Sequence, residues 1–371
     1  MFTMRGKYNS ANIMVDFVDA ATQAQIQSFL NHPAFANTYI AIMPDCHAGK
    51  GAVVGFTMKL NDYVIPFVIG VDIGCGMLMA KFPVHDVDLS GLDAAIKSTI
   101  PSGFHINDKA ARPVIGVDDV CARLGLDFDK AMRAVGSLGG GNHFIEAGWD
   151  SYHNLTVTIH SGSRNFGLRV AEFYQNKAKA NLKRYFAGDA YRDLEFLPMD
   201  SQDAQDYLHD LEIAQDFAAE NRFEMMTHVA QFLGDGPHDI IESVHNFIGD
   251  DRIIRKGATP AREGERVIIP FNMRDGIAVC VGKGSAKYNY SAPHGAGRIL
   301  SRSQAKKTLD AGLFVDEMKD ANVYTTTAGL ATLDEAPGAY KSMGVILENI
   351  RETVDVVEFI KPVYNFKAGG D

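Results

Sequence analysis

At 371 residues, 46% hydrophobic and 22% charged, the chain has the length and composition of a globular protein with one large domain or two ordinary ones. The formal net charge of −10 argues against indiscriminate nucleic-acid binding, which needs a broad basic face, but it leaves room for a local basic groove or for bound cations. Because no secretory signal pattern or long apolar run occurs and the four cysteines have no paired spacing, we expect a cytoplasmic protein with free thiols and no membrane association.

The N-terminal part predicts a strand, a helix over residues 20–31 and a second strand over residues 39–43. The segment 44–51 follows, and its proline and glycines predict a loop. It brings an acid, a thiol, an imidazole and an amine close together in the chain. This density is compatible with a functional loop, although an incidental His–Cys pair explains it equally well.

The next apolar run, residues 63–71, predicts a buried strand that ends in a tight turn of glycines. Asp72 and Cys75 would then lie side by side at the mouth of this strand. A carboxylate and a thiolate repel each other unless a cation lies between them, so the pair indicates a metal site. A structural cysteine beside a turn-capping aspartate is the alternative, and this stretch alone does not decide between them.

Two further strand-to-loop junctions carry histidines. Three consecutive glycines, 139–141, precede His143 and Glu146, and a bare backbone of this kind suits contact with a phosphate or another ligand. A flexible hinge would not need the attached His and Glu. The β-branched run 156–159 then leads directly to His160. Together with Asp72 and Cys75, these junctions favour a common site.

The region at about 168–234 predicts a helical excursion, because its apolar residues recur at helical spacing. Just before it, Arg164 offers a guanidinium fork for an anion such as phosphate. After it, the apolar run 240–244 leads to His245. The compact basic cluster 252–257 favours a contact with phosphate, with a solvated turn as the alternative.

Near the C-terminal end, His294 lies in a loop between a proline and two glycines, with Arg298 four residues later. A histidine exposed in this way is placed to react with a ligand. A helix over residues 342–353 and a strand over residues 354–363 follow. Since neither repeats nor a linker composition occurs, we expect a mixed α/β (α+β) fold with residues 1–371 as one catalytic domain.

At this point several motifs, in the family's order and within residues 44–367, resemble those of the RtcB-type RNA-splicing ligases. They are DIGCGM (72–77), GGGNHFIE (139–146), HSGSRNFG (160–167), HN (245–246), RKGATP (255–260), HGAGR (294–298) and EAPGAYK (335–341). The resemblance implies central β-sheets with a metal site at the strand ends. It also implies GTP and two Mn²⁺ ions as cofactors, and a ligase that joins RNA 3′-phosphate or 2′,3′-cyclic phosphate ends to 5′-hydroxyl ends in RNA repair or tRNA splicing.

The resemblance also implies roles for individual residues. One Mn²⁺ would be bound by Asp72, Cys75 and His143, and Cys75 would bridge to a second Mn²⁺ bound by two further histidines, His160 and His245. The nucleophile that takes GMP from GTP would be His294, and Glu146 would read the guanine edge. Further nucleotide contacts would come from Asn142, Asn272, Gly295, Ala296, Gly297, Tyr340 and Lys367, and RNA or phosphate contacts from Lys50, Arg164 and Arg298.

The sequence departs from the family in several respects. The loop 44–51 carries Cys46 and Lys50 where relatives vary, and the chain is somewhat short for the family, which suggests a divergent or specialised branch. Where the family reads Pro-Gly-Ser-Met-Gly, residues 270–276 read Pro-Phe-Asn-Met-Arg-Asp-Gly, which predicts an altered guanosine pocket. This departure supports one alternative, a dinuclear metal-dependent 2′,3′-cyclic phosphodiesterase without ligation. A non-catalytic RNA-end-binding protein is a third interpretation, which would predict loss of ligands or nucleophile. The resemblance also raises an archease-like activator as a partner.

Overall fold

The computed structural model describes residues 1–183 and 191–369, and two large β-sheets form the framework of this part. The first sheet contains β1 (Phe2–Arg5), β2 (Ser10–Ile13), β3 (Ile40–His47), β4 (Val54–Lys59), β11 (Asn246–Ile248) and β12 (Ile253–Lys256). Within the described residues the strands follow the order β1-β2-β3-β4-β12-β11. Helix α1 (Ala20–Leu30), capped by Asp19, buries Ile26, Phe29 and Leu30 in the apolar cluster that also contains residues of β2, β3 and β4.

The second sheet contains β6 (Gly76–Phe82), β7 (Phe144–Trp149), β8 (Leu155–Ser161), β10 (Asp239–Val244), β14 (Arg266–Pro270), β15 (Ile277–Gly282) and β17 (Val354–Lys367). In the described part of the chain their order is β10-β6-β8-β7-β17-β15-β14, and each neighbouring pair is antiparallel. The starts of β6 and β7 and the ends of β8, β10 and β17 therefore lie at the same end of the sheet.

The two edge strands of this second sheet, β10 and β14, approach each other. The guanidinium of Arg266 binds both carboxylate oxygens of Asp239, at 2.8 and 2.6 Å, and the backbone N–H of Ile268 donates to Ser243 Oγ at 3.0 Å. The sheet thus curls around a face filled by apolar side chains, namely Met77, Met79, Phe144, Ile241, Ile268, Ile277, Val279 and Ile360. This enclosed core gives the strand ends a rigid base.

The predicted helical excursion is confirmed as two long helices, α6 (Arg164–Leu182) and α7 (Gln202–Leu233), and residues 184–190 between them lie outside the described part. The Ser201 side chain caps α7 by accepting from the N–H of Ala204, and Gly234, with φ 71°, ends it in the left-handed conformation. Apolar residues of α7 such as Met225 and Val229 pack on the outer face of β6, β7 and β8.

The remaining described elements are shorter. The helices are α2 (Pro66–Ile69), α3 (Leu89–Thr99), α4 (Val117–Leu124), α5 (Phe128–Arg133), α8 (Arg302–Thr308), α9 (Ala311–Asp320) and α10 (Met343–Ile350). Two small strand pairs join β5 (Tyr63–Val64) to β9 (Leu197–Pro198) and β13 (Ala258–Pro260) to β16 (Ser291–Pro293). The predicted mixed α/β class is confirmed. No helix among the described residues is long and apolar enough to cross a membrane.

Two predictions for the N-terminal part are wrong. The run 63–71 is a two-residue strand followed by the single helical turn α2, because Pro66 occupies the first helical position, where proline is favoured. A short apolar run does not by itself distinguish helix from strand. The predicted loop from Pro44 is instead the end of β3, which continues to His47 with a register shift after Ile42. Such an irregularity tolerates a proline without a backbone donor.

Candidate metal centre and nucleotide cavity

Four of the predicted metal ligands lie at one end of the curled sheet. Cys75 precedes β6, His143 precedes β7, His160 is near the end of β8 and His245 follows β10. The fifth, Asp72, lies in the turn between α2 and Cys75, not at the mouth of a strand as predicted. The structure therefore brings all five side chains together, although they are far apart in the sequence.

The first group consists of Cys75, His160 and His245, all buried, with ligand atoms within 4.8 Å of one another. Nε2 of His160 lies 3.3 Å from Cys75 Sγ and 3.2 Å from Nε2 of His245. Nδ1 of His160 lies 3.1 Å from the carbonyl oxygen of Asn142, to which it donates. This hydrogen bond leaves the Nε2 lone pair of His160 directed at the other two ligand atoms.

The second group consists of Asp72, Cys75 and His143, also within 4.8 Å of one another. Nε2 of His143 lies 3.0 Å from Asp72 Oδ2 and 3.6 Å from Cys75 Sγ. Its Nδ1 donates to the carbonyl oxygen of Leu138 at 2.8 Å, so Nε2 again faces the group. Because Cys75 belongs to both groups, it has the position required of a bridging ligand.

The protonation states of these residues fit a metal centre. Burial holds the pKa values of His160 and His245 well below the ordinary value, so both imidazoles are neutral, the form that binds metals. Burial raises the pKa of Asp72, but its close contact with His143 and other interactions outweigh burial, and the pKa is lowered. Burial and then Asp72 raise the pKa of the Cys75 thiol, so a bound cation would have to displace its proton.

The predicted nucleophile lies beside this centre. The ring centroid of His294 is 4.7 Å from that of His245. Nδ1 of His294 lies 2.8 Å from Oδ2 of Asp45, whose side chain is fully buried in β3. Sequence analysis gave Asp45 no role, and the only signal was the density of reactive groups in residues 44–51. The carboxylate fixes Nδ1 as the protonated nitrogen, which leaves the Nε2 lone pair of His294 available.

Four of the five candidate ligands (Asp72, Cys75, His160 and His245) and His294 border one cavity of about 350 Å³. Most of the other residues predicted to contact nucleotide, RNA or phosphate line the same cavity, namely Asn142, Glu146, Asn272, Gly295, Ala296, Gly297, Tyr340, Lys367, Lys50 and Arg298. Most residues to which the family resemblance gave a contact role therefore lie around this one cavity, although they are far apart in the sequence.

Glu146 lies in β7 on the cavity wall. It is 4% exposed, and burial raises its pKa to about 8. Its Oε2 accepts a hydrogen bond of 2.8 Å from Nδ2 of Asn365 on the adjacent strand β17. Sequence analysis did not assign Asn365, which lies two residues before Lys367 and is likewise part of the cavity lining.

A second group on the cavity wall is organised by Glu335, which sequence analysis also left without a role. It accepts from Lys367 at 2.7 Å, from Arg302 at 2.7 Å, from Arg298 at 3.1 Å and from the hydroxyl of Tyr340. Burial raises the pKa of Glu335, but Lys367 and Arg302 outweigh it and lower the pKa to about 2. The ionised carboxylate therefore holds three cations at the cavity.

Arg164 is the predicted phosphate contact that the fold does not bring into the cavity lining. Its Nη2 donates to the carbonyl oxygen of Gly103 at 2.7 Å, and its Nε donates to Ser137 Oγ at 3.1 Å. These contacts place it beneath the glycine turn that precedes His143. In this structure the Arg164 guanidinium therefore makes hydrogen bonds to neighbouring protein groups and is not part of the cavity lining.

Part of the predicted basic cluster 252–257 lies on strand β12, so its consecutive side chains Arg255 and Lys256 are on opposite faces of the sheet. Arg255 is fully buried and binds Asp251 at 2.7 Å and Ser291 at 2.9 Å, so the prediction of a phosphate contact is wrong for this residue. Lys256, on the opposite face, lines the cavity and donates to the carbonyl oxygen of Lys50. Burial and then the charge of Lys50 lower its pKa to about 7.

The divergent segment 270–276 adds apolar packing beside the cavity. Phe271 and Met273 are 2% and 1% exposed and belong to two different apolar clusters, the second of which contains Phe314 of α9. Asn272 lines the cavity, and its Nδ2 donates to Asp275 at 2.8 Å. The inserted Arg274 binds the same carboxylate at 2.8 Å, so the additional residues brace the loop.

Two adjacent candidate metal sites next to an oriented histidine are compatible with an enzyme that acts on phosphate groups. The chain matches the family model described as "tRNA-splicing ligase RtcB" over residues 25–125 and 125–368. It therefore belongs to the RtcB family, as the motifs predicted, and is an enzyme of the ligase class.

Three curated relatives illustrate this similarity. RNA-splicing ligase RtcB of Escherichia coli K12 is 29% identical and aligns over 93% of this chain and 94% of its own length. RNA-splicing ligase RtcB2 of a second Escherichia coli strain is 27% identical over 88% of this chain and 87% of its own. tRNA-splicing ligase RtcB of Aeropyrum pernix is 26% identical, with 82% of each chain aligned.

Proposed function

We propose that the protein is an RNA ligase that joins a 3′-phosphate or 2′,3′-cyclic phosphate end to a 5′-hydroxyl end through a histidine–GMP intermediate. The observation that carries the proposal is the position of His294, which is held by the buried Asp45 and lies directly beside His245 of the first metal group. The matched family and its relatives are ligases, and they give no support to a phosphodiesterase that only hydrolyses the cyclic end.

The donor set fits two cations. One would be held by Asp72, Cys75 and His143, and the other by Cys75 with the remaining pair of histidines, His160 and His245. A mixed oxygen, nitrogen and sulfur set suits a borderline divalent ion. We assign Mn²⁺ because the motifs resemble those of the RtcB-type ligases; since Mn²⁺ is weak in the affinity order of divalent ions, its selection must come from geometry and supply. When bound, such ions neutralise phosphate charge and favour the departure of anionic leaving groups.

The first covalent step belongs to His294. Its Nδ1–H is held by Asp45, so the Nε2 lone pair forms the N–P bond to the α-phosphorus of GTP while pyrophosphate leaves. An RNA 3′-phosphate oxygen then displaces His294 and takes the GMP. Finally the 5′-hydroxyl oxygen attacks the activated 3′-phosphorus, loses its proton and releases GMP. A 2′,3′-cyclic end first needs hydrolysis to a 3′-phosphate.

The cavity wall supplies the groups that would hold the nucleotide and the RNA end. Glu146 would accept from the guanine edge that carries N1–H and N2–H, while adenine offers neither donor on that edge. The cations around Glu335, together with Lys50 and Lys256, provide local positive charge in an acidic protein. This arrangement supports selection of RNA by its end chemistry.

We further propose that the chain forms one catalytic domain and that the protein is cytoplasmic. We also propose that an archease-like protein activates it.

Covalent labelling tests the proposal. Metal-loaded protein incubated with α-labelled GTP and Mn²⁺ should retain label after denaturation, through an acid-labile and base-stable bond. His294→Ala should lose the label, whereas His209→Ala, an exposed histidine on α7, should keep it. Absence of label from folded, metal-loaded wild type would refute the ligase mechanism. Label that survives His294→Ala would refute only the assignment of the nucleophile.

A further inference from the structure

Asn365 and Glu146 form a buried polar pair in the cavity wall. They are directly opposite each other on the antiparallel strands β17 and β7, and Nδ2 of Asn365 donates to Oε2 of Glu146 at 2.8 Å. Asn365 is 1% exposed and Glu146 is 4% exposed. Because the strand register fixes both side chains, the pair is a rigid feature of the wall.

Each member of this pair retains an unused acceptor. Oε1 of Glu146 and Oδ1 of Asn365 are buried, and neither has a hydrogen-bond partner among the residues that the structure describes. Buried polar atoms without partners are costly, so two of them side by side indicate that a ligand supplies the missing donors.

Lys367, the cation nearest to Asn365 in the sequence, does not donate to either of these unpaired oxygens. Nζ of Lys367 is directed to Glu335 at 2.7 Å and to the carbonyl oxygen of Asn142 at 3.5 Å. The pair also lies in the lining of the same cavity as His294, so a nucleotide bound there can bring its base to this wall. A ligand edge with adjacent N–H donors, as in an amidine or a guanine, matches two adjacent acceptors.

We propose that Asn365 is a specificity-determining residue that accepts a hydrogen bond from the exocyclic 2-amino group of the bound purine. In this arrangement Oε1 of Glu146 accepts from N1–H, Oδ1 of Asn365 accepts from N2–H, and Nδ2 of Asn365 holds Glu146 in place. The inference rests on the proposed use of GTP. It assigns recognition of the 2-amino group to a residue to which the family motifs gave no role.

Inosine triphosphate (ITP) provides the test, because hypoxanthine keeps N1–H and lacks only the 2-amino group. The rate of covalent labelling per unit of nucleotide should be roughly 10- to 100-fold higher with GTP than with ITP for the wild type, since ITP leaves Oδ1 unpaired. In Asn365→Leu this ratio should fall to within a few-fold of one. Asn349→Leu, which changes a half-buried asparagine on α10 outside the cavity lining, should keep the wild-type ratio.

The ratio separates recognition from a merely structural role, which would slow labelling by both nucleotides equally. An unchanged ratio in folded Asn365→Leu would overturn the proposal. If that variant does not fold, the wild type still decides, because equal labelling by GTP and ITP would also overturn it. In that case labelling itself would persist, so the proposed ligase mechanism would stand. Failure of the wild type to label with either nucleotide would instead refute the mechanism, and this inference with it.

Discussion

The proposed nucleophile, His294, is oriented by a single buried carboxylate, that of Asp45. Asp45 is the group within hydrogen-bond distance of Nδ1 of His294, and its own Oδ1 has no hydrogen-bond partner in the described parts of the chain. A left-handed glycine, Gly297, with φ 69°, lies so close to the Asp45 backbone that a Cβ there would be 2.4 Å from its carbonyl oxygen. Strand β3 and the loop that follows His294 therefore pack without room for a larger residue at position 297, which keeps the imidazole in one orientation.

Asp45→Asn should lower the rate of covalent labelling by GTP by about 10²- to 10⁴-fold, because an amide can donate to Nδ1 and thereby place the proton on Nε2. The metal content should not change, since Asp45 does not belong to either ligand group. Single-turnover labelling measures the rate. Asp62→Asn, an exposed aspartate, is the matched control. A wild-type labelling rate in Asp45→Asn would show that Asp45 does not orient the nucleophile.

At the scale of elements, the long helix α7 fixes the loops that carry the metal ligands. Oδ1 of Asn221 accepts from the N–H groups of Gly136 and Ser137, at 2.8 and 3.0 Å, and its Nδ2 donates to the carbonyl oxygen of Gly162 at 3.0 Å. The adjacent Arg222 is fully buried and donates to the carbonyl oxygen of Gly74 at 2.7 Å. Two consecutive helical residues thus hold the loops next to Cys75, His143 and His160.

Asn221→Ala should weaken Mn²⁺ binding by about 10- to 100-fold, as expected for the loss of a residue that orients metal ligands. It should also lower the free energy of unfolding by about 2 kcal/mol or more, because two buried N–H groups lose their acceptor. Calorimetric metal titration and denaturant unfolding measure the two effects. Thr227→Ala, an exposed position on the same helix, should change neither. Wild-type metal affinity in Asn221→Ala would rule out the orienting role.

The sequence predicted these elements unevenly, for physical reasons. Apolar periodicity located α7 well, because a 32-residue helix gives many repeats of its pattern. The same pattern carries no information on the contacts of Asn221, which depend on loops far away in the chain. The run 63–71 before Asp72 predicted a strand, because a short apolar run fits either a strand or a helix. Asp45 and Glu335 were missed because their roles arise only when distant segments meet.

At the scale of the whole molecule, the metal centre links segments that are otherwise distant in the chain. Its five candidate ligands extend from Asp72 to His245 and belong to the ends of four strands and one turn. Three of these groups are uncharged in the absence of metal, namely the imidazoles of His160 and His245 and the thiol of Cys75. The two imidazoles can bind a cation directly, whereas the thiol must first lose its proton. Metal binding is therefore coupled to the stability of the folded chain.

Mn²⁺ at a hundred times its dissociation constant should stabilise the protein by about 2.7 kcal/mol per independent site, seen as a rise in Tm. Cys75→Ala should abolish the rise and lose both ions, because one thiolate serves each group. Cys280→Ala, which removes a fully buried thiol from a different cluster, should lower Tm but keep the Mn²⁺-dependent rise. Two tightly bound Mn²⁺ ions in Cys75→Ala would refute the bridge.

Strand β17 lies between β7 and β15 in the middle of the curled sheet, although it is the last strand in sequence among the described elements. During synthesis on the ribosome, all five candidate metal ligands and His294 emerge before residues 354–367 do. Until then β7 and β15 each present an unpaired backbone edge, and such edges favour pairing with other chains. Asn365 and Lys367 arrive with this same strand. The nascent protein therefore completes the proposed guanine-binding wall in the same event that protects its strand edges from pairing with other chains.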